Sequence, residues 1–358
     1  AGQDRYTLSC SMEITPKAKI VNSDIYKAVI NVKERMNYTD VQKILDKSDE
    51  KILKKYEKYI KDFELMAELA TILKNKRKEN GYLNLDIPES KITLDENGFA
   101  IDVQKYETYF SNEIIEQFML AANETVAEKF YWLQAPFIYR NHEAPDLDKV
   151  KDLNKVLYNF GYKIKISKED IIYPNEFAKI LDDVKGKETE KVVSNIILRT
   201  LRVAKYEAEN KGHFGIASKY YCHFTSPIRR YPDLFIHRII SKYLENDYMV
   251  NEFWIKKYEK RAEKRAENCS ERERTATKVE REAEDIKKAE YMENKIGEEY
   301  EGIISSITNF GIFVELENTI EGLIRYETLG DEYFIYNEER REAIGEHSNK
   351  IYKIGDKV

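Results

Sequence analysis

From residue 5 to residue 14, Tyr6, Leu8, Cys10, Met12 and Ile14 alternate with Arg5, Thr7, Ser9, Ser11 and Glu13, the period-two pattern of a strand with one buried face. A second extended run is predicted over 25–32. It leads through Tyr38 to Thr39-Asp40-Val41-Gln42, whose T-x-x-Q spacing makes a capping box for a helix through Leu45. Residues 52–77 place Leu53, Tyr56, Ile60, Phe63, Met66 and Leu73 at helical spacing and predict one long amphipathic helix. Residues 91–103 read as a hairpin turning at Glu96-Asn97-Gly98. The run 112–133 carries Ile115, Phe118, Ala122, Val126 and Phe130 on one stripe, a strong helix signal. Further helices are expected from Asp146 to near Gly161, ending at Asp182-Asp183, and over 192–210. Beyond Asn251 two more are expected, separated by a second capping box at Ser270-Glu271-Arg272-Glu273, with Ala276, Val279, Ala283 and Ile286 on an inward face. From Gly297 the period changes to short strands over 300–308, 311–316 and 320–324. The class is α+β: a mixed sheet with packed helices, then a small β-barrel.

Composition narrows the class without naming a chemistry. A chain of 358 residues suffices for about two domains with sizeable cores. No apolar run approaches a membrane span of roughly 20 residues. Ala1-Gly2-Gln3-Asp4-Arg5 is no signal peptide, so a cytoplasmic protein is expected. Cys10, Cys222 and Cys269 show no C-x-x-C spacing, against both a disulfide framework and a zinc site. The net charge of -6 is no basic coat for a polyanion, so any such partner must meet a local field. One exists: between residues 193 and 242 nine basic side chains stand against three acidic ones, a basic tract suited to a single nucleic-acid strand.

Within that tract lies His223-Phe224-Thr225-Ser226-Pro227-Ile228-Arg229-Arg230-Tyr231-Pro232-Asp233, ending at His237-Arg238. Thr225 or Ser226 is a natural N-cap and Pro227 fits the first helical position, which would set a helix's free amides beside Arg229 and Arg230. A planar guanidinium clamps a phosphate with two parallel hydrogen bonds, so phosphodiester recognition is one reading. The other is an ordinary capped helix whose arginines pair with surface carboxylates. The string HFTSPIRRYPDLFIHR closely resembles the signature of the RNB family of processive 3'-to-5' exoribonucleases, which includes ribonuclease II and ribonuclease R.

That resemblance implies a division into an RNB ribonuclease domain over 1–295 and an OB-fold RNA-binding domain over 296–358. It implies that Arg229 is catalytic, clamping the scissile phosphate, with Arg230 beside it binding RNA. Tyr38, in ERMNYTDV, matches an aromatic lining the RNA channel, and Glu116 matches a carboxylate near the substrate end, although a solvated helix face also accounts for an acid there. Glu280, in KVEREAED, matches a functionally important glutamate and, on the predicted inward face, requires a partner such as an arginine. Leu85 stands where relatives often carry a stacking phenylalanine. EGIISSITNFGIFVELENTIEGLI looks like an OB-fold RNA-binding domain, in which Phe310 and Phe313 are either stacking surfaces or barrel core, and Arg325 is a phosphate or stacking contact.

The family's Mg²⁺-holding aspartates lie upstream of the segment matching residues 1–14, and no such cluster occurs in this sequence. The expectation is therefore an inactive fragment of a ribonuclease R-like enzyme, truncated at both ends, with no metal ligands of its own and with about two of five barrel strands missing after 355–358. The intact enzyme would use Mg²⁺ and release nucleoside 5'-monophosphates. Single-stranded RNA is the expected partner, with no membrane, and the expected assembly is a monomer. The competing class is a non-catalytic single-stranded RNA-binding module.

Overall fold

The computed structural model describes all residues except 86–88, 188, 331 and 339. Two compact units form, each from three stretches of chain: 1–83, 108–144 and 202–273 in the first, 84–107, 145–201 and 274–358 in the second.

In the first unit, Asp4–Ile14 and Ile20–Asn31 pair as a long antiparallel hairpin in which Tyr6 faces Val29 and Cys10 faces Ile25. Leu8, Cys10 and the buried Ile25 pack on the core. Tyr6 lies off the expected buried face, 93% exposed, because only the middle of the hairpin lies against the core. The helix Tyr38–Asp46 is capped by Asn37, whose side chain accepts the Asp40 amide at 2.8 Å, and not by Thr39. The long helix expected over 52–77 is broken. Asp49 caps Glu50–Lys55, a 3-10 turn covers Glu57–Tyr59, and Ile60–Asn80 continues to Gly81, whose φ of 96° closes the helix in a conformation that only glycine adopts without strain.

The helix Phe110–Trp132 supplies the centre of this core. Phe130 stacks on Phe137 at 4.9 Å and meets Tyr243 edge-on at 5.4 Å. The short strands Tyr139–Asn141 and Lys205–Glu207 pair antiparallel, and the helix Tyr231–Glu245 buries Phe235, Ile236, Ile239 and Ile240. The break expected at Ser270 is absent, and Glu252–Glu293 is one helix of 42 residues. The Ser270 hydroxyl accepts the Tyr206 amide and donates to the Tyr206 carbonyl, so it serves a neighbouring strand and starts no new helix.

The second unit contains the expected hairpin, Ser90–Leu94 with Ala100–Lys105, and the helices Leu147–Tyr158, Pro174–Val184 and Glu190–Thr200 packed through Leu157, Phe177, Val193 and Ile197. The helix expected over 192–210 stops at Thr200 because Leu201 turns extended, with φ -67° and ψ 152°. At its C-terminal end Gly302–Ile307, Gly311–Leu316 and Glu321–Arg325 form an antiparallel three-stranded sheet. Gly311 is needed there, since a Cβ would lie 2.4 Å from the Ile324 carbonyl. A second sheet that the hydrophobic pattern did not suggest, Phe334–Asn337, Glu342–Gly345 and Ile351–Lys353, shares its core through Phe334, Ala343 and Tyr352. Residues 355–358 then return alongside Gly302–Ile307, with Ile303 facing Lys357.

Candidate nucleic-acid interface

The helix after the arginine loop starts at Tyr231, four residues later than expected, with Pro232 in its first turn. Residues 226–230 instead close as a turn, in which the amides of Arg229 and Arg230 both point at the Ser226 carbonyl, at 3.3 and 3.1 Å. The capping hydroxyl expected from Thr225 or Ser226 is replaced by a carboxylate acting in reverse. Asp233, with none of its surface exposed, accepts the Ser226 amide at 2.7 Å and the Arg230 guanidinium at 2.9 and 2.8 Å. A buried carboxylate is costly unless paired, and a bidentate guanidinium plus an amide is the arrangement that removes the cost.

The other end of the loop is held by Asn123 in the central helix. Its Oδ1 accepts the Phe224 amide at 2.9 Å, its carbonyl accepts the Cys222 thiol, and its amide donates to the Tyr221 hydroxyl at 3.2 Å. His237 Nε2 donates to the Phe224 carbonyl at 2.8 Å. Between these fixed ends Ile228 and Arg229 stand in solvent, and the Arg229 side chain has no hydrogen bond or ion pair among the described residues. The turn therefore presents one free guanidinium on a rigid base.

Beneath it runs a layer of rings. Arg140 lies 4.6 Å over the Tyr206 ring and pairs with Glu273, the Tyr206 hydroxyl meets His223 Nδ1 at 2.8 Å, and His223, Tyr221, His213 and His142 follow edge to face. Burial pushes His223 down to about 2, helped by the cations Arg230 and Arg140, and burial with His142 beside it takes His213 to about 3. Burial likewise raises the Cys222 thiol well above its ordinary value. These rings are neutral at physiological pH, so the cations at this surface are arginines and lysines.

The remaining expected residues are distributed as follows. Tyr38 is the first residue of its helix and 42% exposed, its carbonyl held by the Ser111 hydroxyl. Glu116 is half-buried and accepts the Tyr82 hydroxyl at 2.9 Å. Glu280 is exposed, as are Val279 and Ile286, which corrects the inward face expected for this part of the helix. In the second unit Ile312 and Val314 point into the barrel core, leaving Phe313 on the opposite face. There Phe310, 52% exposed, meets Phe313 edge-on at 6.1 Å, and Arg325 is exposed. Neither phenylalanine belongs to that core. Asn123 and Asp233 have no counterpart among the residues expected from sequence. Asp233 was visible as an acid seven residues after Ser226, but its burial was not.

Among the described residues no group of three or more histidine, cysteine, aspartate or glutamate side chains could hold a metal ion. The donors among the described residues do not fit Mg²⁺. No described helix is long and apolar enough to cross a membrane.

An RNB domain matches residues 1–246 and an S1 RNA binding domain residues 293–358. The chain belongs to the RNB family and carries an S1 domain of the OB-fold type after it. Its likeness within that family is to ribonuclease R. It is 42% identical over 355 residues to ribonuclease R 1 of Lactococcus lactis, covering 99% of this chain and 43% of that protein. It is 40% identical over 357 residues to ribonuclease R of Thermotoga maritima, covering 99% and 50%. The structure of Mycoplasma genitalium RNase R in complex with ribose methylated single-stranded RNA superposes with a TM-score of 0.90 at 30% identity, covering 100% of this chain and 55% of that one. The chain thus spans about half the length of these relatives.

Proposed function

We propose that this chain is the RNA-holding part of a cytoplasmic, hydrolytic 3'-to-5' exoribonuclease that releases nucleoside 5'-monophosphates. The observation that carries the reading is the exposed, unpaired guanidinium of Arg229, presented by a loop fixed at both ends. Two parallel N–H donors there match the non-bridging oxygens of a phosphodiester and the charge that grows on them as the bond breaks. The OB-type face with Phe310, Phe313 and Arg325 adds stacking surfaces and a cation for a single strand, and Tyr38 offers a further exposed ring. Glu116 and Glu280 are proposed as further residues along the RNA path, with Glu116 oriented by Tyr82. The divalent ion that RNB enzymes are expected to use would be held outside the described residues. By itself the chain should therefore bind RNA as a monomer without degrading it.

In the intact protein, Arg229→Ala should lower turnover on single-stranded RNA by on the order of a hundredfold, with affinity changed far less. Loss of affinity with turnover intact would make Arg229 a binding residue and remove the catalytic reading. The alternative is a non-catalytic single-stranded RNA-binding module, since an exposed guanidinium and the exposed Phe310 ring suffice to hold a strand. An intact protein that binds RNA and never shortens it, with or without Mg²⁺, would establish that alternative.

A further inference from the structure

Two adjacent arginines in a phosphate-binding loop invite the assumption that both meet the ligand, but their surroundings differ. Arg229 is exposed and its side chain has no partner among the described residues. The Arg230 side chain is 21% exposed and lies flat against Asp233, whose side chain is wholly buried, with Nε to Oδ2 at 2.9 Å and Nη2 to Oδ1 at 2.8 Å. The same carboxylate takes the Ser226 amide, so one buried group ties together the first residue of the turn, its last residue and the first turn of the helix.

We infer, resting on the catalytic reading of Arg229, that Asp233 and Arg230 are positioning residues. Their buried pair holds the 226–230 turn so that Arg229 alone faces the phosphate, and Arg230 contributes no net charge to RNA. A cation fully paired at 2.8 Å offers a polyanion little further attraction, because approach of a phosphate is opposed by the carboxylate already there. The pairing also demands arginine. Lysine carries the same charge but is a point donor that cannot form two parallel bonds, so it would leave Asp233 half-satisfied and the turn loose. Asn123 and His237 fix the loop only as far as Phe224. Beyond that residue, the Asp233 contacts are what hold Ser226 and Arg230 to the helix.

The test compares Arg230→Lys, Arg230→Met, Asp233→Asn and Arg229→Met in the intact protein. It measures turnover and KM on a single-stranded RNA oligonucleotide, the salt dependence of binding, and amide exchange of residues 226–230. Positioning predicts that Arg230→Lys and Asp233→Asn each lower kcat about tenfold or more with KM within about twofold, and speed exchange across the turn. It also predicts that Arg230→Met leaves the slope of log Kd against log salt unchanged, whereas Arg229→Met reduces it by about 0.7, the value of one phosphate contact on a single strand. If Arg230→Lys keeps full kcat while Arg230→Met raises KM and takes about 0.7 off the slope, Arg230 is an RNA contact and the inference is overturned. Should Asp233→Asn lose its cooperative melting transition, Arg230→Lys, which leaves every charge in place, carries the test. The underlying reading fails separately. An Arg229→Met protein with normal turnover and slope sinks the role of Arg229, while unchanged exchange at 226–230 in Arg230→Lys sinks the brace even if Arg229 proves essential.

Discussion

Buried neutral histidines set a direction for the pH dependence of this protein. His213 and His223 are held near 3 and 2 by burial and by neighbouring cations, against an ordinary value of 6.5. His142 Nε2 and His213 Nδ1 are buried without partners among the described residues, which removes any local acceptor that could stabilise a proton. Because the folded-state values are depressed, the unfolded chain takes up protons first as pH falls. Stability is therefore level above the ordinary histidine value and is lost below it, down to the folded values, by about 1.4 kcal/mol per pH unit for each such histidine. Urea titrations at pH 7.5 and 5 should show this loss, and His213→Phe should flatten it. Equal midpoints at both pH values would contradict it. Asn123→Ala acts at the same scale. It leaves the Phe224 amide and the Tyr221 hydroxyl without their shared side-chain partner, and it should cost about 2–4 kcal/mol by equilibrium unfolding, since each orphaned buried group costs about 1–3 kcal/mol.

At the scale of elements, the close contact of Gly311 with the neighbouring strand gives a sharp test. An added methyl would sit 2.4 Å from the Ile324 carbonyl, so Gly311→Ala must push Glu321–Arg325 off its partner. The expected cost is about 1–3 kcal/mol in the melting of this domain, with Arg325 displaced and RNA affinity reduced. The Phe110–Trp132 helix was readable in extent but only partly in facing: of the expected stripe Val126 and Phe130 are buried, whereas Ile115, Phe118 and Ala122 are part-buried and Ile114, Gln117 and Ala121 take the core side. The errors share a physical cause, which is that local signals were answered by distant groups. Ser270 has the spacing of a cap, yet its hydroxyl bonds Tyr206, 64 residues away, and the helix runs through it. Thr39 begins a formal capping box, yet Asn37, in extended conformation with ψ 159°, captures the helix start first. In the loop, the sequence sets Arg229 and Arg230 side by side, and only the signature's resemblance distinguishes Arg229. Its support could not be read there, because Asn123 lies about a hundred residues upstream, and burial of Asp233 depends on the packing of the whole unit.

For the whole molecule, a net charge of -6 means that attraction for RNA depends on how many basic side chains remain unpaired. From Arg202 to Lys242 the first unit carries eight, of which Arg202, Lys205, Lys211, Arg230 and Lys242 already sit within 4 Å of a carboxylate. The rest are Lys219, Arg229 and Arg238. This tract should therefore contribute a slope of only about -2 to log affinity against log salt, at about 0.7 per phosphate contacted. Neutralising Lys219, Arg229 and Arg238, the three cations of the tract unpaired among the described residues, to glutamine should remove that slope, and a large salt dependence surviving without them would mean that the pairs open on binding.

The first unit's three separate stretches also govern how the chain is made. Tyr139–Asn141 finds its strand partner only when Lys205–Glu207 exists, and Phe130 finds Tyr243 more than a hundred residues after it is synthesised. Until residue 273 has left the ribosome, Phe130, Phe137 and Ile138, all but inaccessible in the finished unit, have nothing complete to pack against. Contacts so far apart along the chain form late, and apolar surface left waiting for them is what chaperones bind and aggregates grow from. A chain released after Leu201 should accordingly show no cooperative thermal transition and should precipitate, whereas the 358-residue chain should melt cooperatively. Closure of the first unit's core therefore awaits the same stretch of chain, 202–273, that carries its arginine loop.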